Sequence, residues 1–344
     1  MARTIHVKGH EGPSAIIIGE RIDRLNRYLP EGCQVALITD KTVHGLYGRD
    51  FPAGEIILVG QGEAGKTLET VSGIYRQLMH MGADRSTFVV GIGGGVVCDV
   101  AGFTASTYMR GLRFGFAATT LLAQVDASVG GKNGVNVDGY KNMVGVFRQP
   151  EFVLCDTSLL RSLPAVEIRS GFGEIVKHAA IASRELFEFL EARWDRALSL
   201  DAGIIDHLIG ESVRIKADVV DRDETEQGER RKLNFGHTIG HAVERALGIA
   251  HGEAVSIGMH AAARLSVKQG LLDPREAGRL ERLLSTLNLP IRADIDPRIV
   301  LDGVLRDKKR ERDEVRFVLL EEIGKAVVTP IEVQTLSDFI HEIF

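Results

Sequence analysis

Short unbroken apolar runs alternate with segments of helical period over the first half of the chain. Ala15–Ile18, Val35–Thr39, Ile56–Val59 and Phe88–Ile92 read as strands, and Phe152–Asp156 as a last one. Between them Asp23–Tyr28 and Thr67–Met81 read as helices, the second with Leu68, Val71, Ile74, Leu78 and Met81 on one face. Strands without polar alternation are buried on both faces, and strands separated by helices predict a parallel, doubly wound sheet. Such α/β sheets bind ligands beyond the carboxyl ends of their strands. From about Glu167 to Gln269 the period is helical nearly throughout, and Phe317–Leu320 with Ala326–Val328 around Gly324 predict a small late hairpin. The change near Leu163-Pro164 predicts an α/β domain over 1–162 and a mostly α-helical domain over 163–344.

Bulk properties narrow the class. A chain of 344 residues exceeds what one hydrophobic core fills, so two domains are expected. The net charge of −5 argues against a general binder of nucleic acid or anionic membrane. Three widely spaced cysteines, Cys33, Cys98 and Cys155, read as small buried hydrophobes in a reducing compartment. No apolar run approaches the roughly 20 residues of a membrane span, and the N-terminus lacks a secretory core. A cytoplasmic enzyme or binding protein is the expectation.

The strand Phe88–Ile92 runs into Gly93, Gly94 and Gly95, and a helix of small residues opens near Val96. Glycines there let a ligand approach the backbone, and the N–H groups of a helix start attract phosphate. Asp99 lies one turn in and Arg110 just past the end. Asp40 closes an earlier strand, where it could hold a ribose hydroxyl or simply cap a helix. Gly62–Thr67 lacks the spacing of a Walker loop. The segment from Ala118 to Asn136 is dense in small and polar groups and continues to Lys141 and Asn142.

Three pieces of the second half carry chemistry. Glu174 and Lys177 share a helix face, as a surface ion pair or as functional groups, and Ser170 can cap that helix. His237 and His241, four apart among glycines, suit a shared metal or substrate. His251 opens an apolar helix, as a cap or a ligand, and His178 is a rival ligand on spacing. One carboxylate with two or three histidines matches a catalytic zinc site with an open position. Lys216, Arg230, Arg231 and 307–310 add basic charge, either solvated or lining a cleft with Arg110, Lys132 and Lys141.

With Gly93–Phe103, Thr119–Lys132, Lys141–Gly145, Arg169–Lys177, Leu233–Ala242, His251–Val255 and Asp307–Lys309 in this order, the chain resembles the 3-dehydroquinate synthase family of sugar-phosphate cyclases over essentially its whole length. The resemblance implies a Rossmann-like NAD-binding domain, a helical metal- and substrate-binding domain, a small sugar-phosphate substrate and a homodimer. It makes Glu174, His237 and His251 ligands of Zn2+ or Co2+, moves His241 to the substrate phosphate, and leaves His178 a plain helix residue. It sets NAD against Asp40, Glu63, Lys66, Gly93, Gly94, Asp99, Thr119, Thr120, Leu122 and Lys141. Substrate falls to Asp126, Lys132, Asn142, Lys177, Lys216, Arg230, Asn234, His241 and Lys308, with Arg110 reaching across the dimer. The implied reaction oxidises 3-deoxy-D-arabino-heptulosonate 7-phosphate with NAD, eliminates phosphate, returns the hydride and closes the ring by an aldol step. Cys98, Ala118, Asn133 and Tyr140 depart from the family's usual residues, whereas Arg230, Asn234 and His241 keep the identities that suit this substrate. The competing readings are a cyclase for another sugar phosphate and a metal-dependent polyol dehydrogenase.

Overall fold

The computed structural model describes residues 2–9, 12–138, 140–305, 310–311 and 314–344. In order the elements are β1 (Arg3–Val7), β2 (Ser14–Ile18), β3 (Val35–Asp40), α1 (Lys41–Tyr47), β4 (Glu55–Val59), α2 (Leu68–His80), β5 (Phe88–Gly93), α3 (Gly95–Thr107) and β6 (Arg113–Ala118). They continue with β7 (Lys132–Val137), β8 (Tyr140–Phe147), β9 (Phe152–Cys155), α4 (Ala165–Ala182), α5 (Arg184–Leu198), α6 (Ala202–Arg222), α7 (His237–Leu247) and α8 (His251–Lys268). The last are α9 (Pro274–Thr286), α10 (Pro297–Leu305), β10 (Arg310–Glu311), β11 (Glu314–Glu322), β12 (Lys325–Glu332) and α11 (Val333–Ile343).

They form two compact units, one of Met1–Leu163 with Ile205–Thr225, the other of Pro164–Ile204 with Glu226–Phe344. The first holds a seven-stranded sheet in the order β1-β2-β9-β6-β5-β3-β4, parallel except for the edge strand β1. Its central strands are buried on both faces, which is why they read as unbroken apolar runs. Ile17, Leu37, Phe88, Val90, Ile92 and Leu154 form the core on one side, where the rings of Phe88 and Phe152 stack 5.9 Å apart. From β3 the chain passes outward to β4, then returns to β5 and proceeds the other way through β6. The switch therefore lies between β3 and β5, whose carboxyl ends are Asp40 and Gly93. Ligands of doubly wound sheets bind at that place.

Two readings of this unit change. Ile22–Tyr28 is a 3-10 helix instead of an α-helix. Unlike α1, which Asp40 caps, it starts at Arg21 without a side-chain cap, and Pro30 holds Leu29 in an extended conformation that stops it. Ala202–Arg222 continues the helical period of the second half, yet from Ile205 onward it packs with the first unit. Its apolar face, Ile205, Leu208, Ile209, Val213 and Val220, is buried there. Arg3 pairs with Glu211 at 3.3 Å, and the Lys8 N–H donates to Asp221 at 2.7 Å.

The second unit is helical around α4, α7 and α8, with the antiparallel β10-β11-β12 sheet containing the late hairpin. Small residues set the helix crossings. A Cβ on Gly173 would stand 2.8 Å from the carbonyl oxygen of Gly252, and a Cβ on Gly258 would overlap that of Gly236. Backbones this close keep side chains at the helix starts within reach of one another. No helix among the described residues is long and apolar enough to cross a membrane.

Candidate functional site

In the second unit, α4 supplies Glu174, α7 supplies His237 and His241, and α8 begins at His251. Ser170 does not cap α4; its hydroxyl accepts the N–H of Gly252 at 2.8 Å and pins the start of α8 to α4. Glu174 is fully buried, with Oε1 at 3.6 Å from Nε2 of His237 and 3.3 Å from Nε2 of His251. One donor atom from each of the three lies within 4.8 Å of the others, a spacing that can hold a metal ion. Lys177, also buried, pairs with the other oxygen of Glu174.

The outer nitrogens explain why the inner ones converge. Nδ1–H of His237 donates to the Phe235 carbonyl at 3.1 Å, and Nδ1 of His251 faces Glu244 Oε2 at 3.3 Å. Each contact fixes the ring and directs Nε2 inward, the arrangement that metal-ligating histidines use. Burial holds the His237 imidazole well below its ordinary range, which leaves a lone pair available. Burial also pushes His251 down, but its hydrogen bonds to Glu174 and Glu244 more than offset this and raise it to about 10. His241 stands beside the group, its ring 5.2 Å from that of His237 and 6.2 Å from that of His251. It also belongs to a second cluster with Glu244 and His251. The spacing that singled out His237 and His241 could not reveal His251, which arrives from the next helix. Glu244 was missed, although its place one turn past His241 was legible. His178 is buried on α4.

Arg230 is 1% exposed, in a 3-10 turn over Glu229–Asn234. Asn234 in the same turn donates to Glu226 at 2.6 Å. Lys308 lies outside the described residues.

In the first unit, the Gly93-Gly94 turn joins β5 to α3, with Gly94 at the N-cap. A Cβ on Gly94 would approach the Thr120 methyl to 3.0 Å, and Thr119 N–H donates to the Gly93 carbonyl at 2.9 Å. Thr120 caps the following turn by accepting Ala123 N–H at 3.1 Å, and Leu122 leads into it. Asp99 points from α3 to Lys66, whose Nζ also donates to Asn142 Oδ1 at 2.6 Å. Burial raises the Asp99 carboxyl against the opposing pull of Lys66. Glu63 accepts from Asn136 at 2.8 Å. Asp126 receives the ammonium of Lys216 on both its carboxylate (2.6 Å) and its carbonyl (2.7 Å). Asp40 caps α1, accepting the N–H groups of Thr42 at 2.8 Å and Val43 at 3.0 Å. Lys132 and Lys141 are exposed on the β7–β8 hairpin. Arg110 follows α3 in a left-handed turn, at φ 68°, exposed. Burial raises the thiols of Cys98 and Cys155 and leaves them protonated, as small hydrophobes should be.

Residues 56–170 match the family model described as 3-dehydroquinate synthase N-terminal, and residues 171–310 the one described as 3-dehydroquinate synthase C-terminal. A 3-dehydroquinate synthase of Pelotomaculum thermopropionicum is 46% identical over 313 residues, covering 87% of this chain and 84% of the relative. A solved 2-deoxy-scyllo-inosose synthase, complexed with carbaglucose-6-phosphate, NAD+ and Co2+, superposes with a TM-score of 0.89 at 28% identity over 99% of this chain and 100% of its own. A 2-epi-5-epi-valiolone synthase from Streptomyces hygroscopicus subsp. jinggangensis 5008, with NAD+ and Zn2+ bound, gives 0.87 at 27% identity over 95% and 96%. The chain belongs to the 3-dehydroquinate synthase family.

Proposed function

We propose that the chain is a lyase that converts 3-deoxy-D-arabino-heptulosonate 7-phosphate to 3-dehydroquinate and phosphate, with NAD and a divalent cation as cofactors. It acts as a homodimer in the cytoplasm. The observation that carries the proposal is the meeting of Glu174, His237 and His251 with both imidazoles anchored through Nδ1. One carboxylate and two imidazoles suit zinc with a position left open for substrate. The NAD+, Co2+ and Zn2+ carried by the solved cyclases support the same cofactors here. When bound, the cation supplies a Lewis acid at a substrate hydroxyl and NAD a reversible hydride acceptor.

The chain's own residues bind and orient. Gly93, Gly94 and the start of α3 offer N–H groups to the pyrophosphate, and Glu63, Lys66, Asp99, Thr119, Thr120, Leu122, Lys141 and Asp40 hold the rest of the nucleotide. Lys216 and Arg230 provide countercharge for the substrate carboxylate. Lys132, Asn142 and His241 donate to its phosphate, joined by Arg110 of the second copy, and Asn234 and Lys308 complete the grip. Asp126 holds the Lys216 ammonium in one orientation, and Lys177 balances Glu174. Oxidation of the hydroxyl acidifies the neighbouring C–H, and the phosphate, using its own oxygen as base, leaves by β-elimination. Reduction, ring opening and an intramolecular aldol finish the sequence with no net redox change.

Arg230 is almost wholly buried, and a guanidinium presented in one planar orientation suits a substrate that carries a carboxylate as well as a phosphate. The test supplies the protein with Zn2+, NAD and each candidate substrate in turn. The heptulosonate phosphate is expected to give phosphate and 3-dehydroquinate in equal amounts. Arg230→Ala is expected to lower kcat/KM for it by about a hundredfold, the usual cost of losing a buried charge contact. Preferential turnover of glucose 6-phosphate or sedoheptulose 7-phosphate contradicts the substrate, and accumulating NADH contradicts the reaction.

A further inference from the structure

Asn136 has no role in the chemistry above, yet it holds three residues that do. Its N–H donates to the Lys66 carbonyl at 2.8 Å, its Nδ2 donates to Glu63 at 2.8 Å, and its Oδ1 accepts the N–H of Asn142 at 3.0 Å. Asn142 has a left-handed backbone, φ 54°, and its own Oδ1 accepts from Nζ of Lys66 at 2.6 Å. The contacts close a circuit: Asn136 to Asn142, Asn142 to Lys66, and Lys66 back to Asn136 through its carbonyl. The circuit ties the short turn Glu63–Gly65 to the β7–β8 hairpin within the first unit.

The chemistry of the two ends is opposite. Glu63 presents a carboxylate, which needs a donor, and Asn142 presents an N–H, which needs an acceptor. Only a carboxamide of this length serves both at once. This assignment also fixes which end of the amide is nitrogen, since the reverse would set oxygen against carboxylate.

We propose that Asn136 is a positioning residue that couples the grip on NAD, through Glu63 and Lys66, to the grip on the substrate phosphate, through Asn142. The inference rests on the functional reading above. Ordering Asn142 by one ligand leaves less to be ordered when the second arrives, so the two bind with positive cooperativity.

Calorimetry on the full-length, zinc-loaded protein tests this with NAD+ and inorganic phosphate, each titrated with and without the other. In the wild type each is expected to tighten the other about fivefold or more, within the ordinary range of coupled sites. Asn136→Ala is expected to weaken both about tenfold and to bring the coupling factor close to one. Asn136→Asp keeps the acceptor for Asn142 but sets a second carboxylate against Glu63. It should therefore weaken NAD+ more than Asn136→Ala does, while phosphate stays nearer the wild-type value. A general structural lesion would move both ligands together in both variants. Wild-type coupling in either variant, or equal losses of both ligands in Asn136→Asp, overturns the inference alone. A wild-type protein that binds no NAD+ overturns the functional reading and this inference with it.

Discussion

Glu174 and Arg230 are charged side chains almost wholly withdrawn from water, and such groups persist only where another charge or a ligand compensates them. For Glu174 the compensation in view is Lys177 and the two Nε2 atoms, and a divalent cation would complete it. Glu174→Ala and His251→Ala are accordingly expected to lose bound metal and turnover together, as metal analysis after desalting and a phosphate-release assay would register. Stoichiometric zinc in both variants would refute the ligand set. At this scale the sequence was legible in its types more than in its partnerships. The pair Glu174 and Lys177 was visible as an i,i+3 spacing, but the same spacing describes a solvated ion pair, and only burial decides between them. The i,i+4 histidines drew attention to α7, whereas His251, on another helix, read equally as a cap or a ligand, and only likeness to a known family preferred it to His241 as a candidate ligand. Asn136 and Ser170 act through contacts with residues distant in the chain, Glu63 and Lys66 for the one and Gly252 for the other, and no local pattern marks such contacts.

The elements that position these side chains were readable where burial imposes a period. Strands β3, β5 and β9 and helix α2 are recognisable because their apolar residues face a core. Strands β6, β7 and β8 are rich in glycine, alanine, asparagine and lysine and went unread, because cross-strand pairing specifies them more than residue preference does. The glycines announced close approach without saying to what. Gly258 is the sharpest case: any Cβ there meets the Gly236 carbonyl, just ahead of His237. Gly258→Ala is expected to destabilise the chain by about 1–3 kcal/mol, the usual cost of overpacking, and to weaken zinc by displacing α7. Gly73→Ala, in open space on α2, should instead stabilise by about 0.5–1 kcal/mol. Urea unfolding distinguishes the two, and an unchanged midpoint for Gly258→Ala would show that the crossing is slack.

At the scale of the whole molecule, hydrophobic period and composition led to an α/β half and a helical half, and the chain first leaves the unit of the seven-stranded sheet at Leu163. They could not show that residues 205–225 return to that unit, because an amphipathic helix declares that it has a buried face and not which partner covers it. In the proposed reaction the redox cycle closes on itself. If NAD oxidises the substrate and then reduces the product of elimination, one hydride leaves and returns in each turnover. Deuterium placed on the carbon that bears the oxidised hydroxyl follows that hydride. Turnover of this substrate with less than one equivalent of NAD is expected to give 3-dehydroquinate that retains the deuterium, with one phosphate per product and no NADH. Deuterium recovered in free NADH, or lost to solvent, would contradict the account.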